Sequence, residues 1–100
     1  MYKNGEGVPK DLAKAAALYQ AAADRGHAAA QTKLGFMYKN GAGVPKNLAK
    51  AAALFQAAAD QGHAWAQNNL GLMYKKGEGV PKDLVKAAAL FQAAGPFGSS

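Results

Sequence analysis

Residues 37–72 read MYKNGAGVPKNLAKAAALFQAAADQGHAWAQNNLGL, and close copies of this stretch stand on either side of it. Residues 1–36 differ from it at eight positions (6, 11, 19, 25, 29, 32, 33 and 36), and residues 73–94 repeat its first part with changes at 76, 78, 83 and 85 alone. A period of 36 residues is the mark of a solenoid built from helix pairs. Such a unit cannot bury its apolar side by itself and must stack on its neighbours.

Within the unit the apolar spacing switches on twice. Leu48, Ala51, Ala52, Phe55, Ala58 and Ala59 fall at intervals that line one face of a helix, and Leu54 widens the stripe. This segment, 48–60 with counterparts at 12–24 and 84–94, is termed the B helix. Ala30, Leu34, Met37 and Tyr38 do the same over 28–39, repeated at 64–76, the A helix. The order is therefore B-A-B-A-B in a single domain over 1–100, with units 1–36, 37–72 and 73–94 and a tail at 95–100. Gly26 and Gly62 are placed to close B helices, Gly41 and Gly77 to close A helices. In the connectors Pro45 and Pro81 prevent helix on their N-terminal side, and Asp11, Asn47 and Asp83 follow as N-caps. Val8, Val44 and Val80 read as plugs of the connector into the core. Gly35 and Gly71 lie inside the A helices, where glycine costs about 0.5–1 kcal/mol relative to alanine. Their expected return is close approach of the paired B helix.

Composition agrees with an all-α chain. Half the residues are apolar and many of these are alanine, while there is no Ile, one Thr and four Val. Strands favour β-branched residues; alanine favours closely packed helices. Without cysteine there is no disulfide, thiol nucleophile or thiolate metal site. Met1 to Pro9 carry no apolar stretch of signal-peptide type and no apolar run reaches membrane-spanning length, so the chain as it stands reads as soluble, cytoplasmic and not membrane-inserted. The net charge of +6 favours an acidic partner. Lysines recurring once per unit, with no run of basic residues and no basic–aromatic interleaving, argue against nucleic acid. They gather near the starts of the B helices (Lys10, Lys14, Lys46, Lys50, Lys82, Lys86) and the ends of the A helices (Lys3, Lys39, Lys75), which makes one edge basic.

The residues carry a family resemblance. Ala64-x-Ala66-Gln67-x-x-Leu70-Gly71-x-Met73-Tyr74, then Gly77-x-Gly79-Val80-Pro81-x-Asp83 and Lys86-Ala87, with Ala57-Ala58-x-x-x-Gly62-His63 closing the preceding B helix, resemble the Sel1-like repeat, a relative of the tetratricopeptide repeat. The likeness covers nearly the whole chain. It implies an α/α right-handed superhelical solenoid whose members serve mostly as adaptors in multiprotein complexes. The secreted members with one disulfide per repeat are a poor match, because their paired cysteines are missing. The B-helix aromatic, often Trp in the family, is Tyr19, Phe55 and Phe91 in this chain.

Copies this similar make their differences informative. Along the A helix Ala29 faces Trp65, Thr32 Asn68, Lys33 Asn69 and Phe36 Leu72, at i, i+3, i+4 and i+7, which is one helical stripe. In solenoids the A helices line the concave, ligand-bearing surface. Thr32, Lys33, Phe36, Trp65, Asn68, Asn69 and Leu72 are accordingly the expected contact residues for a protein or peptide, with Trp65 of the type enriched at interaction hot spots. His27 and His63 are the only histidines. They occupy one repeat position at the start of the A helix, which suits capping or packing, and equivalent residues about 10 Å apart cannot share a zinc ion. No catalytic residue, cofactor or metal site is expected, and the chain is not expected to be an enzyme. A second reading is a designed or excised repeat array without an evolved ligand, motivated by the near-identity of the copies and the tag-like Gly98-Ser99-Ser100. Head-to-tail self-association is a further expectation, since neither end carries a polar capping unit. Only Met1 to Lys3 stand for a first A helix, so Leu12, Ala16, Tyr19 and Ala23 should lack a partner, as should Leu84, Leu90 and Phe91, with Phe97 as a plug.

Overall fold

The computed structural model describes the backbone of residues 8–99 and the side chains of 11–95. The expectations placed on Met1 to Lys3, on the side chains of Val8, Lys10 and Phe97 and on Ser100 lie outside the described residues. Five helices follow one another: α1 (Val8–Asp24), α2 (Ala28–Asn40), α3 (Leu48–Asp60), α4 (Ala64–Lys76) and α5 (Leu84–Ser99). Helices α1, α3 and α5 are B helices, α2 and α4 A helices, and each packs chiefly on the next in sequence. The result is an all-α repeat solenoid measuring 43 × 26 × 23 Å.

The helix ends follow the punctuation in the sequence. Asn47 Oδ1 accepts the Lys50 N–H at 3.0 Å and Asp83 Oδ1 the Lys86 N–H at 3.0 Å, the N-cap bond that satisfies a first-turn donor. At the end of α3 the Gly62 N–H reaches the Ala59 carbonyl at 2.9 Å and the His63 N–H the Ala58 carbonyl at 3.2 Å. That pair of bonds defines a Schellman motif, and Gly62, at φ 86°, takes the left-handed position it requires. Gly26 repeats it after α1, with His27 bonded to Ala22.

Two ends depart from expectation. Helix α1 begins at Val8 rather than Leu12, which puts Asp11 in its first turn instead of at the cap. Proline is tolerated at a helix start, where its missing N–H would be unbonded in any case, so Pro9 does not prevent this. The same Val-Pro pair stays outside the helix in the later connectors, each of which is tied back to the A helix before it: Asn47 N–H donates to the Tyr38 carbonyl and Asp83 N–H to that of Tyr74, both at 2.9 Å. At the other end the helical geometry of α5 breaks at Gly95 (φ 86°, ψ 177°), one residue past the expected end at Ala94, and resumes through Ser99.

Alanine dominates the interior, as close helix packing requires. One cluster joins Ala16, Ala23, Ala30, Leu34 and Met37; the other joins Ala51, Ala52, Phe55, Ala58, Ala59, Ala66, Leu70 and Met73. Leu54 of α3 reaches back to the first cluster and Leu90 of α5 to the second, so this B-helix leucine is the tie between successive units. Val44 and Val80 lie half-buried against the same clusters, as the plug reading expects. The absent Cβ of Gly35 is replaced by a ring: a methyl there would lie 2.8 Å from Cε1 of Phe55, and one at Gly71 would lie 2.8 Å from Cε1 of Phe91. The close approach at these glycines is thus made by the B-helix aromatic, not by its backbone.

The expected bare stripe on α1 is corrected. Ala16 and Ala23 are buried and Leu12 and Tyr19 half-buried, because α2 of the same unit covers them. What remains bare is Leu18, the counterpart of Leu54, at 68% exposure. At the far end Leu90 and Phe91 are half-buried as well, and Leu84 and Val85 are the exposed apolar residues.

Candidate functional site

The distinctive side chains of the two A helices meet in a groove of about 410 Å³ between α2 and the start of α4, lined by Ala29, Thr32, Lys33, Phe36, His63 and Trp65. Its existence follows from one difference between copies. Ala29 stands where the next unit has Trp65, and the small side chain leaves open the space beside Phe36.

Phe36 forms one wall. It is anchored from behind by the fully buried Phe55, the two rings meeting edge-on with centroids 5.3 Å apart, and faces the Trp65 indole in a second edge-on contact at 6.4 Å. Such edge-to-face pairs add about 0.5–1.5 kcal/mol beyond burial, so the wall is held from the core outward. Trp65 itself is 68% exposed. One turn further along α4, the Asn69 amide donates to the Trp65 backbone carbonyl at 2.8 Å.

Thr32 and His63 form the polar part of the floor. The Thr32 hydroxyl donates to the Ala28 carbonyl at 2.9 Å, and His63 Nδ1 lies 3.4 Å from the same oxygen. Both contacts are satisfied when Nδ1 carries a proton, because the hydroxyl has only one to give. His63 occupies the N-cap position of α4 yet makes no side-chain cap bond, so its ring is turned to the groove and not to its own helix. Lys33 is exposed on the rim. Helices α2 and α4 contain no Asp or Glu; their charged residues are Lys33, Lys39, Lys75 and Lys76.

Four of the seven expected contact residues, Thr32, Lys33, Phe36 and Trp65, are brought together here. Thr32 is only 3% exposed and offers little surface of its own. Asn68, Asn69 and Leu72 are half-buried and lie outside the groove lining, since they stand one unit further along the stripe. The sequence reading gave His63 a capping or packing role at the helix boundary; it makes no side-chain cap bond and lines the groove instead. A smaller apolar hollow of about 260 Å³ lies beside α1, lined by Ala13, Ala16, Ala17, Gln20, Leu34, Tyr38 and Val44, with no converging charged groups. Among the described residues no three His, Asp or Glu side chains gather as a metal site, and no helix is long and apolar enough to cross a membrane.

Stacked helix pairs in which A and B helices alternate define an all-α repeat solenoid. The chain belongs to the Sel1 repeat family, whose model matches residues 1–27, 28–63 and 66–95. Sel1 repeat proteins are generally protein-interaction scaffolds. Among solved structures the chain is similar to a protective antigen of uropathogenic Escherichia coli strains that displays an SLR fold, with 41% identity and a TM-score of 0.86 over 97% of this chain. It is also similar to a Sel1 repeat protein from Oxalobacter formigenes, with 34% identity and a TM-score of 0.78 over 79% of the chain. It spans 21% of the length of the first and 60% of the second. No curated protein matches the chain.

Proposed function

We propose that this chain is a noncovalent binding module that holds a protein or peptide on the face shared by α2 and α4. The observation that carries the reading is the groove itself, in which an exposed tryptophan stands beside a phenylalanine anchored to the core. A large aromatic kept in water on a rigid support is costly to leave bare and profitable to cover. Immobilised chain, exposed to a lysate in parallel with a Trp65→Ala, Asn69→Ala double variant, is expected to retain its partner only in the unsubstituted form. Both forms should show the same helical spectrum. Equal capture by both would remove Trp65 and Asn69 from the binding face.

A second reading, favoured by the exposure of Leu18 at one end and of Leu84 and Val85 at the other, is end-to-end association of copies. Leu18 and Leu84 stand at repeat positions whose counterparts, Leu54 and Leu48, pack on a core cluster.

A further inference from the structure

The binding-face reading leaves the chemistry of the occupant open, and the groove narrows it. We propose, resting on that reading, that the groove takes an acidic segment of a partner protein, with one apolar side chain seated against the Phe36 and Trp65 rings and a carboxylate beside Lys33.

Size comes first. A groove of about 410 Å³ is in the range that accommodates a small ligand, about 300–1,000 Å³, and is too small to receive a folded element. It suits one side chain and its adjoining backbone. The walls select that side chain: Ala29, Phe36 and the Trp65 indole are apolar, and the ring edges of Phe36 and Trp65 favour an aromatic or branched aliphatic group. The rim selects the charge. Among the described residues its ionisable groups are Lys33 and His63, and helices α2 and α4, which frame it, carry no carboxylate. A basic segment would meet uncompensated like charge, whereas an acidic one gains attraction and a faster encounter. The floor adds a polar group, the His63 ring, whose Nδ1 lies 3.4 Å from the Thr32 hydroxyl oxygen. Nucleic acid is the competing anion, since bases stack on aromatic rings. A strand needs a track of cations along its backbone, and among the described residues this groove has one lysine on its lining.

The test pans a random dodecapeptide library against the folded chain and titrates a synthetic copy of the enriched peptide, with single-stranded oligothymidylate as the comparison. Trp65 is the sole tryptophan, so its emission reports occupancy directly. Enrichment of peptides pairing Asp or Glu with an aromatic or branched aliphatic residue, saturable perturbation of Trp65, and binding about tenfold weaker in Lys33→Glu but little changed in Lys75→Glu support the proposal. Ala29→Trp, which fills the groove from an exposed position, should abolish that binding while leaving the helical spectrum intact. Enrichment of basic or uncharged peptides that is lost in Ala29→Trp overturns the acidic assignment and leaves the binding face standing. Enrichment indifferent to Ala29→Trp overturns both. No enrichment, or tighter groove binding by oligothymidylate than by the peptide, overturns the proposal, and lysate capture then decides the binding face separately.

Discussion

At the scale of single residues, the two A-helix glycines share one contact and differ in what surrounds it. Adding a methyl at either removes the helix cost of glycine, worth about 0.5–1 kcal/mol, and forces a ring to move. Phe55 is fully buried among close-packed alanines and has nowhere to go, whereas Phe91 is half-buried and can swing outward. Overpacking a tight core costs about 1–3 kcal/mol. Gly35→Ala is therefore expected to lower stability by about 1–2 kcal/mol, with Gly71→Ala closer to neutral, as read from urea midpoints at a common slope. Equal losses would show that the two rings are equally confined. Gly79 is constrained differently: at φ 73°, its Cβ would clash with the Leu48 carbonyl oxygen, a backbone atom that cannot step aside.

Between elements, a glutamine ties each A helix to the B helix before it, and in α2 also to the end of the B helix after it. Gln31 donates to the Ala23 carbonyl of α1 at 3.2 Å and accepts from Gln61 at the end of α3 at 3.0 Å, so both halves of its amide are used. Gln67 repeats the donation, to Ala59 at 3.2 Å, but its Oε1 is buried without a partner among the described residues. One period beyond Gln61 the chain has Phe97, a residue with no side-chain donor. Leaving a buried acceptor unpaired costs about 1–3 kcal/mol, so an apolar replacement recovers that penalty at 67 and not at 31. Gln31→Met should destabilise by about 1 kcal/mol or more, while Gln67→Met should be neutral or stabilising in the same denaturation assay. A Gln67→Met variant weaker than Gln31→Met would mean that the Ala59 bond outweighs the orphaned oxygen.

For the molecule as a whole, the leucine that locks unit to unit is satisfied inside and bare at one end. Leu54 and Leu90 lie half-buried on the cores of the preceding units, while Leu18 stays 68% exposed. If copies stack as the units do, the mass of the 100-residue chain measured by light scattering should grow with concentration. Leu18→Lys or Leu84→Lys should suppress the growth and retain helicity, since both positions are solvent-facing in a single copy. A mass fixed at one chain through the millimolar range would eliminate end stacking.

The repeat alone determined the all-α class, the order of five helices, the caps at Asn47 and Asp83, the Schellman glycines and the core stripes. These are local or nearest-neighbour properties: helix periodicity, turn stereochemistry and capping act over a few residues, and copying the unit copies its packing. The stripe that differs between copies was also readable, because an A helix places positions 29, 32, 33 and 36 on one face wherever it lies. Tertiary structure decided what a single-helix reading has no access to. It put Thr32 beneath the surface, set His63 opposite it, covered Leu12, Ala16, Tyr19 and Ala23 with α2, and left Leu18 bare. It also separated Asn68, Asn69 and Leu72 from the groove. Each depends on how far one unit is displaced from the next, and that displacement arises from side chains meeting across helices far apart in the sequence.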